Sequence, residues 1–541
     1  MRVRNIRAAW KPQLATNTVL SAGTIEPVYS SLILDLSVSR LSNNSGGYGF
    51  VALKARSSFA ANENKMNLLP ILLFWVLLLV AITIRGPLIF YLLFCSMSFG
   101  SLSVVPPELT QGLSLTPPPI IALAIIAMYG GGANGLPRLL DIALRPSQCL
   151  LLFLFWVVAV WVTLFMPRIF AGSVTIIPMR LEEATSGVGL YPTQQNISQL
   201  MYLTISILTV LACALGLRSP RTRQHVLVAM CAGGGMVALT GCLDLVGLGP
   251  YLDVFRTATY DYLTDVEIAN VKRVVGLMPE ASAYGSLAVA FLSAIYFFRR
   301  AIASPWIRLY ATPCLIVLLT VSALLSTSSA AYGGLAVFGC AAAIEWLWRL
   351  LTTEKGSVAR EGLLAEFWSL LIGSSAVYLL AVANPSLFDP LVELVDTIIF
   401  QKTASDSYEE RSMWTAVSLA ALVDTWGLGV GVGATRASNG VVAVFSNCGV
   451  IGGLLFYGFI LQTFLRKSPA SVQVDEAILT ATRFYMPPVL IMGTLAGTSA
   501  DFGTMNACIY GMAAALSWPV PAVSSALPAP ERSSPVQQAP V

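Results

Sequence analysis

Two polar stretches in an otherwise apolar chain carry the residues that could do chemistry. The first, VKRVVGLMPEASAYGSLAVAF, brings Lys272, Arg273 and Glu280 to the start of an apolar segment. Arginine presents a planar fork of donors matched to phosphate or carboxylate. Glu280 follows Pro279 where a helix should begin, and the helix dipole stabilises a carboxylate at such a position. The plainer reading of this stretch is an interfacial anchor pair followed by a helix cap. The second stretch runs from Asn384 into the 440s. It sets Glu409, Glu410 and Arg411 ahead of an amphipathic or re-entrant segment, 413–423, then places glycines at 427, 429, 431 and 433 before Arg436, Ser438 and Asn439. Glycine inside a helix costs about 1 kcal/mol, so four at alternate positions predict an extended turn where backbone approaches a ligand closely. Glu409 and Glu410 also fit a solvated acidic face near Lys402.

Other chemistries lack their residues. GVGVGA superficially resembles a nucleotide-binding loop, but no strand precedes it and no Lys-Ser or Lys-Thr completes it. The nine cysteines lie mostly inside apolar segments without paired spacing, as small packing residues would. The single histidine, His225, sits at the mouth of an apolar segment, and no cluster suggests a metal site. The reading calls for no cofactor.

The elements that must position these loops are set by composition. Of 541 residues 56% are hydrophobic and 11% charged, and mean hydropathy is +0.73, whereas a soluble domain carries about 25% charged residues. The excess apolar surface requires lipid as its solvent. A formal net charge of +4 gives no nucleic-acid footprint.

Apolar segments run at 68–84, 87–105, 118–134, 148–166, 199–217, 225–247, 282–298, 309–326, 328–348, 363–383, 441–465, 484–499 and 503–518. Most reach the roughly 17 to 25 residues that a spanning helix needs, and the alternating pattern of a barrel strand is absent. The expectation is an all-α polytopic integral membrane protein with about twelve transmembrane helices, the Pro-split first pair counting as one crossing, and a large external loop before the last three. Residues 66–518 form the membrane domain. Residues 1–65 read as a basic, poorly ordered tail without a signal-peptide pattern, and Met66 offers an alternative start. The Pro, Ala and Ser-rich stretch 519–541 cannot bury a core.

Basic residues fall in alternate connections: Arg138 and Arg145; Arg218, Arg221 and Arg223; Arg299, Arg300 and Arg308; Arg349, Lys355 and Arg360; Arg466 and Lys467. The positive-inside rule makes those connections cytoplasmic. Loops at about 167–198 and 248–281, the STSSA turn and 384–440 then face the other side.

The order RVVGLMPEASAYGSLA, LLSTSSAAYGGLAVF and SYEERSMWTAVSLAALVDTWGLGVGVGATRASNGVVAVFSNCGVIGGLLF resembles the O-antigen ligase and polysaccharide polymerase superfamily. Its members similarly show an Arg-x-x-Gly before a span, a Ser-rich turn between spans and an Arg-x-x-x-Trp-like helix. A Gly-rich loop and a Gly-x-x-Gly span follow. The likeness covers roughly residues 270 to 465. It implies a bacterial inner-membrane glycosyltransferase, metal-independent, whose donor is a polyprenyl-diphosphate-linked glycan, with periplasmic arginines engaging the diphosphate; by position these are Arg273, Arg411 and Arg436. Two departures stand out. Ser328-Ser329 replaces the usual Ser-Arg of the turn, and the histidine of ligases is absent, with Ser438 and Asn439 in that region. The second favours an exopolysaccharide-type polymerase over a ligase.

On that reading Arg273 and Arg411 stabilise the departing lipid diphosphate, and a carboxylate takes the proton of the attacking sugar hydroxyl. Glu280 ranks ahead of Glu409 and Glu410 for this. Lys272, Arg436, Ser438 and Asn439 complete the binding set. Partners would be membrane lipid, the lipid-linked glycan, a chain-length regulator and export proteins, with no nucleic acid. The alternatives are a ligase passing finished glycan to a lipid or protein acceptor, and a transporter or flippase. Against transport, Asp244 and Glu345 lie near segment ends and no two-half symmetry is detectable.

Overall fold

Long apolar runs must satisfy every backbone polar group internally, and in this chain they do so as helices. The computed structural model describes residues 68–84, 86–106, 114–132, 134–179, 187–259, 262–264, 267–268, 271–352, 362–384, 406–468 and 473–517. The two terminal tails, the alternative start at Met66, and 385–405 with Lys402 lie outside them.

In chain order the helices are α1 (Leu68–Thr83), α2 (Leu88–Ser96), α3 (Pro117–Gly130), α4 (Gly135–Leu144), α5 (Leu150–Ile169), α6 (Gln194–Gly216), α7 (Pro220–Leu245), the single turn α8 (Gly249–Leu252), α9 (Ala281–Phe298), α10 (Thr312–Leu325), α11 (Ser329–Thr352), α12 (Leu363–Ala383), α13 (Asp406–Asp424), α14 (Gly440–Phe464), α15 (Gln473–Ala496) and α16 (Gly503–Leu516). Among the described residues sheet is limited to two ribbons of two-residue strands, Thr175–Ile176 with Val188–Gly189 and Glu267–Ile268 with Val271–Lys272.

Among the described residues seven helices are long and apolar enough to cross a membrane, or up to eight if the bent pair α3–α4 is one span. The protein is therefore an integral membrane protein, and its helical class is as expected. Fewer described helices reach a spanning length than the dozen crossings expected, for identifiable reasons. The segment 87–105 is helical only to Ser96, after which buried Ser98, Ser101 and Ser103 lie in irregular backbone. That stretch finds partners elsewhere in the protein, Ser101 N–H donating to Leu277 O and Ser103 N–H to Thr257 Oγ1, both at 3.0 Å. The segment 118–134 ends at Gly130, where the chain bends by 103° into α4. Helix α15 begins with Asp475 and Glu476 and contains Pro487 and Pro488, and α16 has 14 residues.

Helix α9 is central. Of its membrane window 72% is buried, against 22% for α10 and α11, and it packs on α7, α10, α11 and α15. Outer helices turn large apolar side chains outward, among them Leu69, Val317 and Leu351, as lipid-facing surfaces do.

Polar side chains sort to opposite ends of the bundle. At one end Arg145 pairs with Asp141, Arg223 with Asp475, and Arg299, Arg300 and Arg349 with Glu345 and Glu366. Arg466 donates there to Ser147 O and Ser517 Oγ. These arginines all belong to the connections read as basic in the sequence. The described residues of the loops at 167–198, 248–281, 326–328 and 425–440 meet at the other end.

Candidate functional site

Three connections build the site. The first is the 272–280 loop, tied down by Asp244 at the end of α7. Asp244, 3% exposed, accepts the N–H groups of Val275 and Gly276 on Oδ2 at 2.8 and 3.0 Å, and Lys272 Nζ on Oδ1 at 2.9 Å. Gly276 supplies the positive φ (57°) that this turn requires, and a Cβ there would press on Tyr284 and Thr240. The sequence reading grouped Lys272 with the substrate-binding residues; its ammonium is matched by Asp244 and holds the loop.

The same turn directs Arg273 toward the Ser-rich connection between α10 and α11. Arg273 Nε donates to Thr327 Oγ1 at 2.8 Å and to Ser326 O at 3.3 Å, while Nη2 donates to Thr327 O at 3.3 Å. Thr327 takes φ of 48°, an uncommon conformation for a β-branched residue. Its backbone strain is stored where its oxygens hold the guanidinium. All of these acceptors are neutral, so the positive charge is oriented without being cancelled.

The second connection is α13, whose buried positions Trp414, Ser418, Ala421 and the following Thr425 recur at helical spacing. This face lies along residues 430–438. Ser418 Oγ donates to Arg436 O at 2.9 Å, and Ser438 N–H donates to Thr415 Oγ1 at 3.3 Å. The Arg436 guanidinium stacks over the Trp414 ring, 3.7 Å from its centroid, a cation–π contact that favours one orientation of the fork. Arg411 lies one turn before Trp414 on the same helix.

The third is the glycine loop. Gly427, Gly429, Gly431 and Gly433 all have positive φ, as the alternating pattern foretold, but what their backbone approaches is the protein itself. A Cβ on Gly429 would lie 2.4 Å from the backbone N of Gly449. Gly449 breaks α14 with φ 75° and ψ 173°. The loop supplies partners around that break: Val430 N–H donates to Ser446 O, Gly431 N–H to Asn447 O, and Val450 N–H to Gly427 O, at 2.8 to 3.0 Å. Asn439 Oδ1 then caps α14 by accepting from Val441 and Val442 N–H. The glycines and Asn439 thus shape the loop that carries Arg436.

These connections bring the sequence-nominated charges within one another's fields. Burial lowers the Arg273 pKa, opposed by Glu280 and assisted by Arg411. Burial likewise lowers that of Arg436, with Glu410 and Glu280 opposing and Arg411 assisting. Among the described residues no ion pair neutralises Arg273, Arg411 or Arg436. Glu280, in extended conformation immediately before α9, accepts a hydrogen bond from Ser282 Oγ. Glu409 and Glu410 are exposed on the first turns of α13.

Glu280 and Arg436 both line a cavity of about 580 Å³ between α9, α14 and the end of α15. Its apolar lining includes Val444, Phe456, Val489 and Met492, and its polar lining includes Asp501 and Asn506. No role in the site was assigned from the sequence to Asp501 or to Trp414 of the Arg-x-x-x-Trp-like helix, and the anchoring role of Asp244 was not foreseen. For Asp501 and Asp244 the available signal was a lone carboxylate beside apolar residues; for Trp414 it was the one-turn spacing from Arg411. No protein-family model matches the chain, and no curated protein matches it either.

Proposed function

We propose that this protein polymerises polyprenyl-diphosphate-linked oligosaccharide units into a surface polysaccharide, an exopolysaccharide or O-antigen, as a member of the O-antigen ligase and polysaccharide polymerase superfamily. The observation that carries the reading is the gathering of Arg273, Arg411 and Arg436, from three separate connections and with no ion pair to any of them among the described residues, beside a cavity with apolar walls. A lipid diphosphate has that pair of requirements: cations for its headgroup and apolar surface for its chain.

In the reaction, an acceptor sugar hydroxyl attacks the anomeric carbon of the donor glycan. The bond from that carbon to the diphosphate oxygen breaks, and the lipid diphosphate leaves with the electron pair. Preorganised guanidinium groups stabilise the charge growing on it. Glu280 is the carboxylate assigned to the hydroxyl proton, because it lines the cavity with Arg436 while Glu409 and Glu410 face outward. In the same reading the arginine end faces the periplasm, the ion-paired end faces the cytoplasm, and the shorter helices join the seven long ones to make about twelve crossings.

Arg273→Ala and Arg411→Ala should each abolish long-chain polymer while leaving the protein inserted and abundant. Normal chain length in both variants would overturn the proposal. A deletion strain separates polymerase from ligase: single repeat units still attached to their carrier indicate a lost polymerase, and unattached long chains a lost ligase. Extension of lipid-linked oligosaccharide by purified protein in detergent, where no sealed compartment exists, excludes transport as the activity.

A further inference from the structure

At the ion-paired end an open groove of about 530 Å³ lies between the last turns of α14, the connection that leads into α5, and the end of α16. We propose that it binds an anionic glycerophospholipid of the phosphatidylglycerol type, whose headgroup carries a phosphate and no cation.

Charge is the first argument. The charged side chains lining the groove are Arg466 and Lys467, both basic. Arg466 is 5% exposed and is held by neutral oxygens. Its Nη1 donates to Ser147 O at 3.2 Å and to Ser517 Oγ at 2.7 Å, and its Nη2 donates to Gln148 O. A third cation adjoins them: Arg483 donates through Nη2 to Arg466 O and through Nε to Phe464 O at 3.1 Å. Among the described residues none of the three makes an ion pair. The carboxylates that flank the groove along the chain are engaged otherwise. Asp141 pairs with Arg145 and Asp475 with Arg223, while Glu476 Oε1 accepts Ser468 N–H at 2.8 Å. An anion seated here therefore meets uncompensated positive charge. Arg466 acts on it through its field, since its Nη groups are turned to protein oxygens. The groups that can touch a phosphate are the Lys467 ammonium and the Ser147 hydroxyl, both on exposed residues that line the groove.

Shape is the second argument, and it favours a lipid over a free phosphate. Leu461 and Leu465 line the groove and are exposed, as is Leu454. Helical spacing puts Leu454, Gly458, Leu461 and Leu465 on one face of α14. Gly458, which also lines the groove, leaves a furrow in that face, leading from the charged groups along the lipid-facing surface. A Cβ there would meet only Leu151 Cδ1 at 3.6 Å, an ordinary contact, so helix packing does not demand the glycine. An acyl chain fits the furrow, and a free phosphate makes no use of it. Basic pockets between membrane helices are a recurrent setting for anionic lipid headgroups, each cation near the membrane surface raising affinity about fivefold. Ethanolamine and choline headgroups bring a cation of their own to a groove that no carboxylate lines.

Native mass spectrometry of the delipidated full chain, titrated with dioleoyl phosphatidylglycerol, phosphatidylethanolamine or phosphatidylcholine, tests this without reference to polymer formation. The expected result is one retained phosphatidylglycerol, bound about tenfold more tightly than either zwitterionic lipid and not displaced by excess inorganic phosphate. Lys467→Glu, at an exposed position, should erase the preference. Gly458→Leu fills the furrow while leaving every charge in place, and should likewise lose the retained lipid. Equal retention of the three lipids by the unaltered chain, displacement of phosphatidylglycerol by inorganic phosphate, or a preference that survives either variant would each overturn the proposal.

Discussion

Two arginine clusters, one at each end of the bundle, are held in opposite electrostatic states. At one end Arg299, Arg300 and Arg349 lie against Glu345 and Glu366, with contacts of 2.7 to 3.2 Å. At the other, Arg273 is held by a threonine hydroxyl and two carbonyls, and Arg436 by an indole face. Ion pairing with two carboxylates offsets most of the charge of the first set and makes it part of the scaffold. Neutral partners orient the second set and leave its charge available to an anion. The difference separates cations that support helix packing from cations suited to binding a ligand, although sequence composition alone shows only arginines near segment ends.

The largest effect should come from breaking the neutralised end. Glu345→Ala leaves the buried Arg349 with only part of its compensation, and removal of one partner from a buried pair costs about 3–5 kcal/mol. Denaturation in detergent should register that loss. Polymer length per correctly folded molecule should stay unchanged, since the cluster lies at the opposite end from the candidate site.

Arg411→Ala tests the other half of the comparison. Loss of one preorganised donor to a developing anion lowers a rate by about 10²–10³-fold. Because Arg411 is half-buried and makes no ion pair among the described residues, its loss should change stability by less than about 1 kcal/mol. A stability loss in Arg411→Ala as large as in Glu345→Ala would erase the distinction between the two ends.

Gly429→Ala probes whether the glycine loop is scaffold or ligand surface. Its φ of 84° and the 2.4 Å approach to Gly449 N leave no room for a methyl group, so a destabilisation of about 2 kcal/mol is expected from backbone strain and the shift the contact forces. The protein should lose stability first and activity in proportion to it. An intact fold with weakened donor binding would restore the reading of this loop as a ligand contact.

Much of this was legible in the sequence, and what was not has physical causes. The helical class followed from unbroken apolar runs. Arg273, Arg411 and Arg436 could be nominated from loop chemistry. Their mutual approach could not, because it depends on Thr327 adopting a left-handed conformation and on Trp414 facing the 430–438 segment. Segment lengths misled where serines at 98, 101 and 103 turned an apolar run into buried irregular backbone. The glycine pattern correctly indicated positive φ and close approach, but composition cannot say whether the neighbour is a ligand or, as here, the break in α14.

Asn439 gives the smallest and most discriminating test. Its Oδ1 accepts the N–H groups of Val441 and Val442 at 3.0 and 3.2 Å, so replacing it removes a helix cap, worth about 1 kcal/mol. Asn439→Asp retains an acceptor oxygen and adds a negative charge that the N-terminus of α14 favours. If Asn439 acts only as a cap, Asn439→Ala should be mildly destabilised, Asn439→Asp should recover that stability, and their activities should follow the amount of folded protein. If Asn439 instead touches the donor, Asn439→Asp should fold well and still bind it less tightly, because the added carboxylate sits three residues from Arg436 and repels the diphosphate. Stability and donor affinity measured on the same two variants therefore decide whether the region after Arg436 belongs to the scaffold or to the charged site.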